Sequence, residues 1–380
     1  MSDKGWRFNG NERTYLDDVL NSGFGASESG SMNERLENKF AELHNKKFAI
    51  SANSGTSTLH MALKSFGVGT NDEVIIPALT VAMPGFAVWQ CQAIPVFADV
   101  LKDTFLLDPK DVEKKITSKT KAIMPVHMYG NMCDMELIMK LANEHDLFVL
   151  EDCAESLYAS NDKGQKAGTI GHVGSWSFEN SKHLSTGDGG IVATDDEQLA
   201  TFMRQFGGVG FKNITAKTGK VRISRDQFQD PKYERHNMFA YNYRLPELCA
   251  AVGLAQCERL DYFVDMRESM GHAYLQVMND SNLFLPQKTQ EGFRNTYWTF
   301  AARFLGKDYG ISWYDFRKKY MENNGDGIYS AHQTTNNEPC FKNSKLGYGD
   351  VPIAESLQKD LMLFTTNQKD ENERNVQVTA

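Results

Sequence analysis

KAIMPVHMYGNMCDMELIMKLANEHDLFVLEDCA, residues 121–154, holds two nearly continuous apolar runs, KAIMPVHM (121–128) and LFVLEDCA (147–154), with a helical pattern between them. Runs without polar alternation suit strands buried on both faces, because helices cover a parallel sheet on each side. In DMELIMKLANEH (134–145), Leu137, Ile138, Leu141 and Ala142 fall on one face behind Asp134, a residue suited to cap the helix. Strand, helix, strand in this order is a βαβ unit. It predicts an α/β domain with a mostly parallel central sheet.

The alternation continues outward from this unit. KKFAISAN (46–53) reads as a strand and STLHMALKSFG (57–67) as the helix after it; EVIIPA (73–78) and IPVFADV (94–100) are further strands. GSWSF (174–178) and GGIVATD (189–195) are short strand candidates, and a helical pattern runs from Pro246, suited to a first turn, to about Met270. FKNITAKTGKVRISRDQFQDPKYERHN (211–237) is polar and basic and reads as a long loop or excursion. We therefore expect a large domain over residues 1–260, N-terminal helix included. A smaller C-terminal α/β domain over 261–380 would end in the polar tail NQKDENERNVQVTA.

Composition narrows the chemistry. With 380 residues, 41% hydrophobic and 24% charged, the chain reads as an ordinary globular protein with room for a large and a small domain. A net charge of -8 argues against gripping a nucleic-acid backbone. MSDKGWRFNGNERTYLDD lacks the apolar core of a signal peptide, and VIIPALTVAMPGFAVW (74–89) is shorter than a membrane span and carries Pro77 and Pro84. A cytosolic protein without membrane attachment is expected. Six cysteines without a CxxC pair signal neither a disulfide framework nor a zinc site, so no metal is expected and the thiols should be reduced and mostly buried.

Three short motifs lie where open α/β sheets place ligands, at the C-terminal ends of strands. NSGTS (53–57) joins the first strand to its helix; its small residues and the positive helix end suit a phosphate. EDCAES (151–156) ends an apolar strand, and a carboxylate there, Asp152, needs a positive partner, a cap or an ion pair. SFENSKHLSTGDGG (177–190) carries Lys182 in a stretch too broken for a long helix or strand. A lysine beside a cationic or apolar group loses its proton more easily and can then form a Schiff base. Taken singly, each motif has an ordinary structural reading. Phosphate site, buried carboxylate and lysine together are the parts a pyridoxal phosphate site uses.

At this point the chain resembles the DegT/DnrJ/StrS family of fold type I, pyridoxal-phosphate-dependent sugar aminotransferases. The likeness runs almost end to end, through NSGTSTLHMAL, EVIIPALTVAMP, DLFVLEDCAES, GSWSFENSKHLSTGDGGIVATDD, YNYRLPELCAAVGLAQCERLD and VPIAESLQKDLMLF. It implies that Lys182 carries the cofactor as a Schiff base and shuttles the proton, and that Asp152 pairs with the pyridine nitrogen. Glu155 would lie near the ring's phenolic oxygen, and Gly55, Thr56 and Ser177 would hold the phosphate. Asn242 would reach that phosphate from a partner chain, implying a homodimer with shared active sites. Val81 stands where many relatives carry an aromatic ring that stacks on the cofactor; Phe86 and Trp89 are near in sequence, but helical spacing points them elsewhere. His127, His183 and His332 are candidates for substrate contact, with a structural role as the alternative for each.

The implied reaction transfers an amino group from L-glutamate to a keto-sugar in amino-sugar, surface polysaccharide or lipopolysaccharide biosynthesis. The acceptor is a nucleotide-linked 4-keto-6-deoxy sugar or a keto-octulosonate. The basic residues Lys212, Lys217, Lys220, Arg222 and Arg225 suit a diphosphate or a sugar carboxylate, or form a solvated loop. A related branch replaces the lysine with histidine and performs dehydration, whereas this chain keeps Lys182. The alternative is a catalytically silent regulatory or binding protein with the same fold.

Overall fold

The structure of the chain, a computed structural model, describes all residues except 1–4, 25–29, 220–222, 326 and 368, with no side-chain description for 369–372. In chain order the first elements are α1 (Glu12–Asn21), α2 (Met32–Leu43), β1 (Phe48–Ala52), α3 (Gly55–Ser65), β2 (Glu73–Pro77), α4 (Met83–Gln90) and β3 (Ile94–Ala98). Next come α5 (Pro109–Lys115), β4 (Thr120–Ile123), α6 (Met135–Glu144), β5 (Phe148–Asp152), β6 (Val173–Ser177), β7 (Gly190–Thr194), α7 (Glu197–Gly207) and α8 (Arg225–Gln229). The rest are α9 (Glu247–Cys257), α10 (Leu260–Asn279), β8 (Phe284–Pro286), β9 (Thr299–Phe304), α11 (Trp313–Glu322), β10 (Ile328–Ser330), α12 (Pro339–Ser344), α13 (Pro352–Asp360), β11 (Leu361–Thr365) and α14 (Lys369–Thr379). The fold is α/β, as expected.

Contacts divide the chain into two units, one of residues 1–69, 150–154 and 168–260, the other of residues 70–149, 155–167 and 261–380. One cut falls at 260/261, where the sequence places its domain boundary, while 70–149 and 155–167 group with the C-terminal segment.

In the first unit β7 is antiparallel to both β1 and β6, and β6 runs parallel to Leu150–Asp152 of β5. Ser31 caps α2 by accepting from the Glu34 amide, and Leu36 and Phe40, one turn apart, are wholly buried on its inner face. The Phe40 ring meets Trp176 edge-on at 5.0 Å and Phe178 at 5.8 Å, so the helix seats on β6 and the residue that follows it. Truncating such a buried ring to alanine costs about 3–5 kcal/mol.

In the second unit β2 pairs in parallel with β3 and β4, and β4 pairs in parallel with Phe148 and Val149 of β5. The unbroken burial of β2 matches its unalternated sequence. Asp134 accepts from the Leu137 amide at 3.0 Å and starts α6 as expected. A second, wholly antiparallel sheet has the order β10-β11-β9-β8. Its core gathers Tyr274, Phe284, Phe300, Phe304, Met362 and Phe364.

Four readings of the sequence need correction. The 121–128 run is strand only to Ile123; Met124 and Val126 are buried without it, so apolar character there reports burial, not extension. Leu137 is 46% exposed while Ile138, Leu141 and Ala142 are buried, which makes the inner face of α6 narrower than expected. The helical pattern from Pro246 breaks between Cys257 and Leu260, and Pro246 stands at the cap position of α9 with an extended backbone. The polar C-terminal tail forms α14, whose Val376 and Val378 pack on the second unit's aromatic core. Of the six cysteines, all free, Cys91, Cys133, Cys153 and Cys257 are buried, Cys249 is half-buried and Cys340 exposed. Among the described residues no helix is long and apolar enough to cross a membrane.

Candidate active site

Register places three strand ends side by side in the first unit. Gly190 of β7 pairs with Ala52 of β1 on one side and with Ser177 of β6 on the other, so these three lie abreast. Asp152 of β5 pairs with Ser175, two residues before Ser177. Because β1, β6 and β5 point the same way, their C-terminal ends open on one edge of the sheet, where α/β folds bind ligands.

Helix α3 begins at that edge. Ser54 caps it, its Oγ accepting from the Ser57 amide at 3.1 Å, and Ser57 Oγ donates to Asn53 Oδ1 at 2.7 Å. The amides of Gly55 and Thr56 open the helix and have no carbonyl one turn back to bind, so they and the helix dipole favour an anion. Two glycines make room. A Cβ on Gly55 would stand 2.8 Å from Ser177 Cβ, and one on Gly190 would stand 2.9 Å from the Gly55 nitrogen. Thr58 Oγ1 shares a hydrogen bond with Ser175 Oγ at 2.8 Å, tying the first turn of α3 to the strand beside Asp152.

Asp152 is 3% exposed, and its Oδ1 accepts from the Ala154 amide at 3.0 Å. Its neighbour Glu151 points to the other face of the sheet. The Glu151 carboxylate is wholly buried and accepts backbone amides of Gly168 (2.8 Å), Ile170 (2.7 Å) and Gly171 (2.5 Å). Of the two acids, one therefore anchors the chain entering β6, and the other lies at the C-terminal edge of the sheet.

Lys182 lies on the loop leaving β6. The loop is closed at its base by Phe178, whose amide donates to Gly189 at 2.8 Å and whose carbonyl accepts from Thr186 at 2.9 Å. The Lys182 amide donates to the Glu179 carbonyl at 3.0 Å, Lys182 is half-buried and His183 fully buried. Arg7, from the N-terminal segment, donates to the carbonyls of Asn180 at 2.8 Å and Lys182 at 2.7 Å.

Asn242 is exposed and flanked by Tyr241 and Tyr243, whose rings stack 5.1 Å apart. The Tyr243 carbonyl accepts from the Asn53 amide at 2.8 Å, and its hydroxyl meets His60 Nδ1 at 3.0 Å, so α3 and its entry turn hold this segment. Burial, with Lys64 adding to it, lowers the His60 pKa to about 4, which keeps the ring neutral at pH 7. A cavity of about 850 Å³ in the same unit includes Asn242, Glu37, Arg204 and Arg244 in its lining, but none of Gly55, Asp152 or Lys182.

Glu155, His127, Val81 and His332 lie in the second unit. Glu155 is buried and its Oε2 accepts from the Tyr129 amide at 3.2 Å; burial and the Glu155 charge push the Tyr129 phenol up. His127 is wholly buried and its Nδ1 accepts from the Cys133 amide at 3.1 Å, which leaves Nε2 as the protonated nitrogen of a neutral ring. Val81 is half-buried, and its carbonyl accepts from Thr335 Oγ1 at 3.4 Å, three residues beyond the exposed His332. Phe86 stacks on Phe341, and Trp89 is 58% exposed. In the basic excursion Lys212 lies over the Tyr233 ring and Lys217 pairs with Glu197 at 3.1 Å. Lys220 and Arg222 lie outside the described residues.

The first unit fits a phosphorylated pyridine cofactor on two counts: a glycine cradle against Ser177 at a helix N-terminus, and a buried carboxylate on the same edge. Sequence reading missed Arg7, Glu151 and the tyrosines around Asn242. Only the tyrosines left a trace, the i, i+2 aromatics of YNY.

The model of the DegT/DnrJ/EryC1/StrS aminotransferase family matches residues 8–378. The chain is similar to the GDP-perosamine synthase of Escherichia coli O157:H7, 37% identical over 289 residues, covering 76% of this chain and 74% of that protein. Its fold is similar to that of the aminotransferase from Psychrobacter cryohalolentis, with a TM-score of 0.85, 28% identity and coverage of 97% and 95%. It is also similar to the E coli GDP-4-keto-6-deoxy-D-mannose-3-dehydratase with bound hydrated PLP, with a TM-score of 0.82, 25% identity and coverage of 97% and 96%.

Proposed function

The chain belongs to the DegT/DnrJ/EryC1/StrS aminotransferase family, and on that premise we propose that it moves an amino group from L-glutamate to the keto carbon of a nucleotide-linked 4-keto-6-deoxy sugar. It is a sugar aminotransferase of amino-sugar biosynthesis, and pyridoxal phosphate is its cofactor. When bound, the cofactor supplies an electron sink for the pair left as the donor's Cα–H bond breaks.

The observation that carries the proposal is the alignment of Ala52, Gly190 and Ser177 with Asp152 beside Ser175, at the edge from which the Lys182 loop departs. In this reading the Gly55 and Thr56 amides and the Ser177 hydroxyl bind the phosphate. Asp152, desolvated and negative, holds the proton on the ring nitrogen. Lys182 Nζ anchors the cofactor and, when free, moves the Cα proton as base and then as acid. Glu155 is assigned to the phenolic oxygen and Val81 to a ring face, where it packs without stacking. His183 and His332 are assigned to the sugar, and His127, with one nitrogen already engaged, to orienting the groups around it. The exposed, braced Asn242 serves the phosphate of a second copy, which makes the working protein a cytosolic homodimer with shared sites. The proposal keeps a cofactor-binding domain over 1–260 and a smaller one over 261–380.

A nucleotide-linked acceptor is favoured because the similar synthase is named for a GDP-linked amino sugar. The test has two readouts. Purified protein with added pyridoxal phosphate should show the absorbance of lysine-bound cofactor, and Lys182→Ala should abolish it. No band in the native chain would leave the silent binding protein as the reading. With glutamate as donor, GDP-4-keto-6-deoxy-D-mannose should be aminated and keto-octulosonate should not; the reverse would overturn the substrate assignment.

A further inference from the structure

The N-terminal segment ahead of α1 passes against the loop that carries Lys182. Arg7 is 6% exposed, and its two terminal nitrogens donate to successive elements of that loop, Nη1 to the Asn180 carbonyl at 2.8 Å and Nη2 to the Lys182 carbonyl at 2.7 Å. A guanidinium is the side chain suited to this task, because its planar fork meets two fixed acceptors at once and stays charged when buried. Burial lowers the Arg7 pKa from its ordinary value, and the nearby Glu179 charge opposes that effect.

The arginine is itself held. Its carbonyl accepts from Gln256 Nε2 at 2.7 Å, and the same amide group donates to Glu12 Oε1 at 2.8 Å. Arg259 Nη2 donates to the Trp6 carbonyl at 2.9 Å. Gln256 is wholly buried on α9, the helix that begins five residues after Asn242. Burying a cation is costly, and here two hydrogen bonds to loop carbonyls and the nearby Glu179 charge offset that cost only while the loop keeps this conformation.

We propose that Arg7 is the positioning residue of the lysine loop, and that residues 6–12 form a strap fixing the Lys182 backbone to α9. The inference rests on the reading of Lys182 as the cofactor's anchor. The Lys182 carbonyl is one residue's width from the side chain that must meet both cofactor and Cα proton. A loop free to shift by an ångström would lose much of the advantage of a fixed base. The strap therefore ties the lysine loop to the C-terminal end of α9, through Gln256 and Arg259.

The experiment uses the full chain with Arg7→Ala and Arg7→Lys. Without cofactor, hydrogen exchange at the amides of Lys182 and Thr186 should quicken about tenfold or more in Arg7→Ala, while the amides of β5 and β6 keep their protection. With cofactor, kcat should fall about tenfold or more with the glutamate KM within about twofold, because positioning acts on the reacting geometry. Millimolar guanidinium ion should restore part of the loss in Arg7→Ala, and Arg7→Lys should recover little because it lacks the fork. Exchange at those amides within twofold of the native chain, or full activity in Arg7→Ala, would overturn the proposal. If Lys182→Ala retains the lysine-bound absorbance, the reading of Lys182 fails instead, and the exchange result for Arg7 stands apart from it.

Discussion

Gly55 and Ser177 approach so closely that a methyl group on the glycine would stand 2.8 Å from Ser177 Cβ and 3.3 Å from its Cα. Backbone of the strand cannot yield as a side-chain tip can. Gly55→Ala should therefore part the start of α3 from β6, lower stability by about 1–3 kcal/mol and weaken pyridoxal phosphate binding about tenfold or more. Thermal unfolding and equilibrium dialysis would measure the two effects; an unchanged cofactor affinity would remove Gly55 from the phosphate site.

Asp152→Asn preserves shape and removes charge. The Ala154 amide that donates to Oδ1 at 3.0 Å keeps an acceptor, so the fold should hold. On the proposed role of Asp152 in holding the proton on the ring nitrogen, the kcat for transamination should fall by roughly 10²–10³. Cofactor content near the native level, read from absorbance, separates this loss from failure to bind. Native kcat in the variant would show that Asp152 only caps the turn.

Glu151→Gln tests the neighbouring acid. The native carboxylate meets three backbone amides with no exposure, and a carboxamide would aim its own NH2 at one of those donors. We expect a loss of about 1–3 kcal/mol in denaturant unfolding, with the lysine-bound absorbance retained. A loss of absorbance without a loss of stability would contradict the assignment of Glu151 to the loop entering β6.

His60 sets a pH dependence. Its folded pKa, about 4, lies below the 6.5 of the unfolded chain. Above pH 6.5 both states are neutral and the group adds no pH slope. Between 6.5 and about 4 the unfolded state binds the extra proton, so stability falls as pH falls, and the effect saturates below 4. In His60→Gln the slope over that window should be shallower than in the native chain. Equal slopes in paired unfolding curves would show that the ring is not held neutral.

Much of this architecture was legible locally. The βαβ unit of 121–154 follows from apolar runs of the kind doubly covered strands carry, although the first run outlasts its strand, and the Asp134 cap from its place before a helical pattern. Lys182, Asp152 and NSGTS drew notice only as a set, since each alone has an ordinary reading, and the strand register brings Asp152 and the start of α3 to one edge of the sheet. What the pattern could not carry is pairing. GGIVATD reads as a strand, but its reversed direction between β1 and β6 depends on partners about 140 and 15 residues away. Arg7 was hidden for the same reason: its acceptors are backbone carbonyls 173 and 175 residues later, and carbonyls have no letter in a sequence.

That reversed strand also sets a timetable. Gly190 is what brings Ala52 abreast of Ser177, so the turn at Gly55 has no completed cradle until the ribosome has released β7, which ends at Thr194. At about 5–20 residues per second the stretch from Gly55 to Thr194 takes roughly seven to thirty seconds to make, and for that time the cradle is half-built. If Gly55 and Ser177 hold the phosphate as proposed, that site can close only once β7 has paired with both β1 and β6.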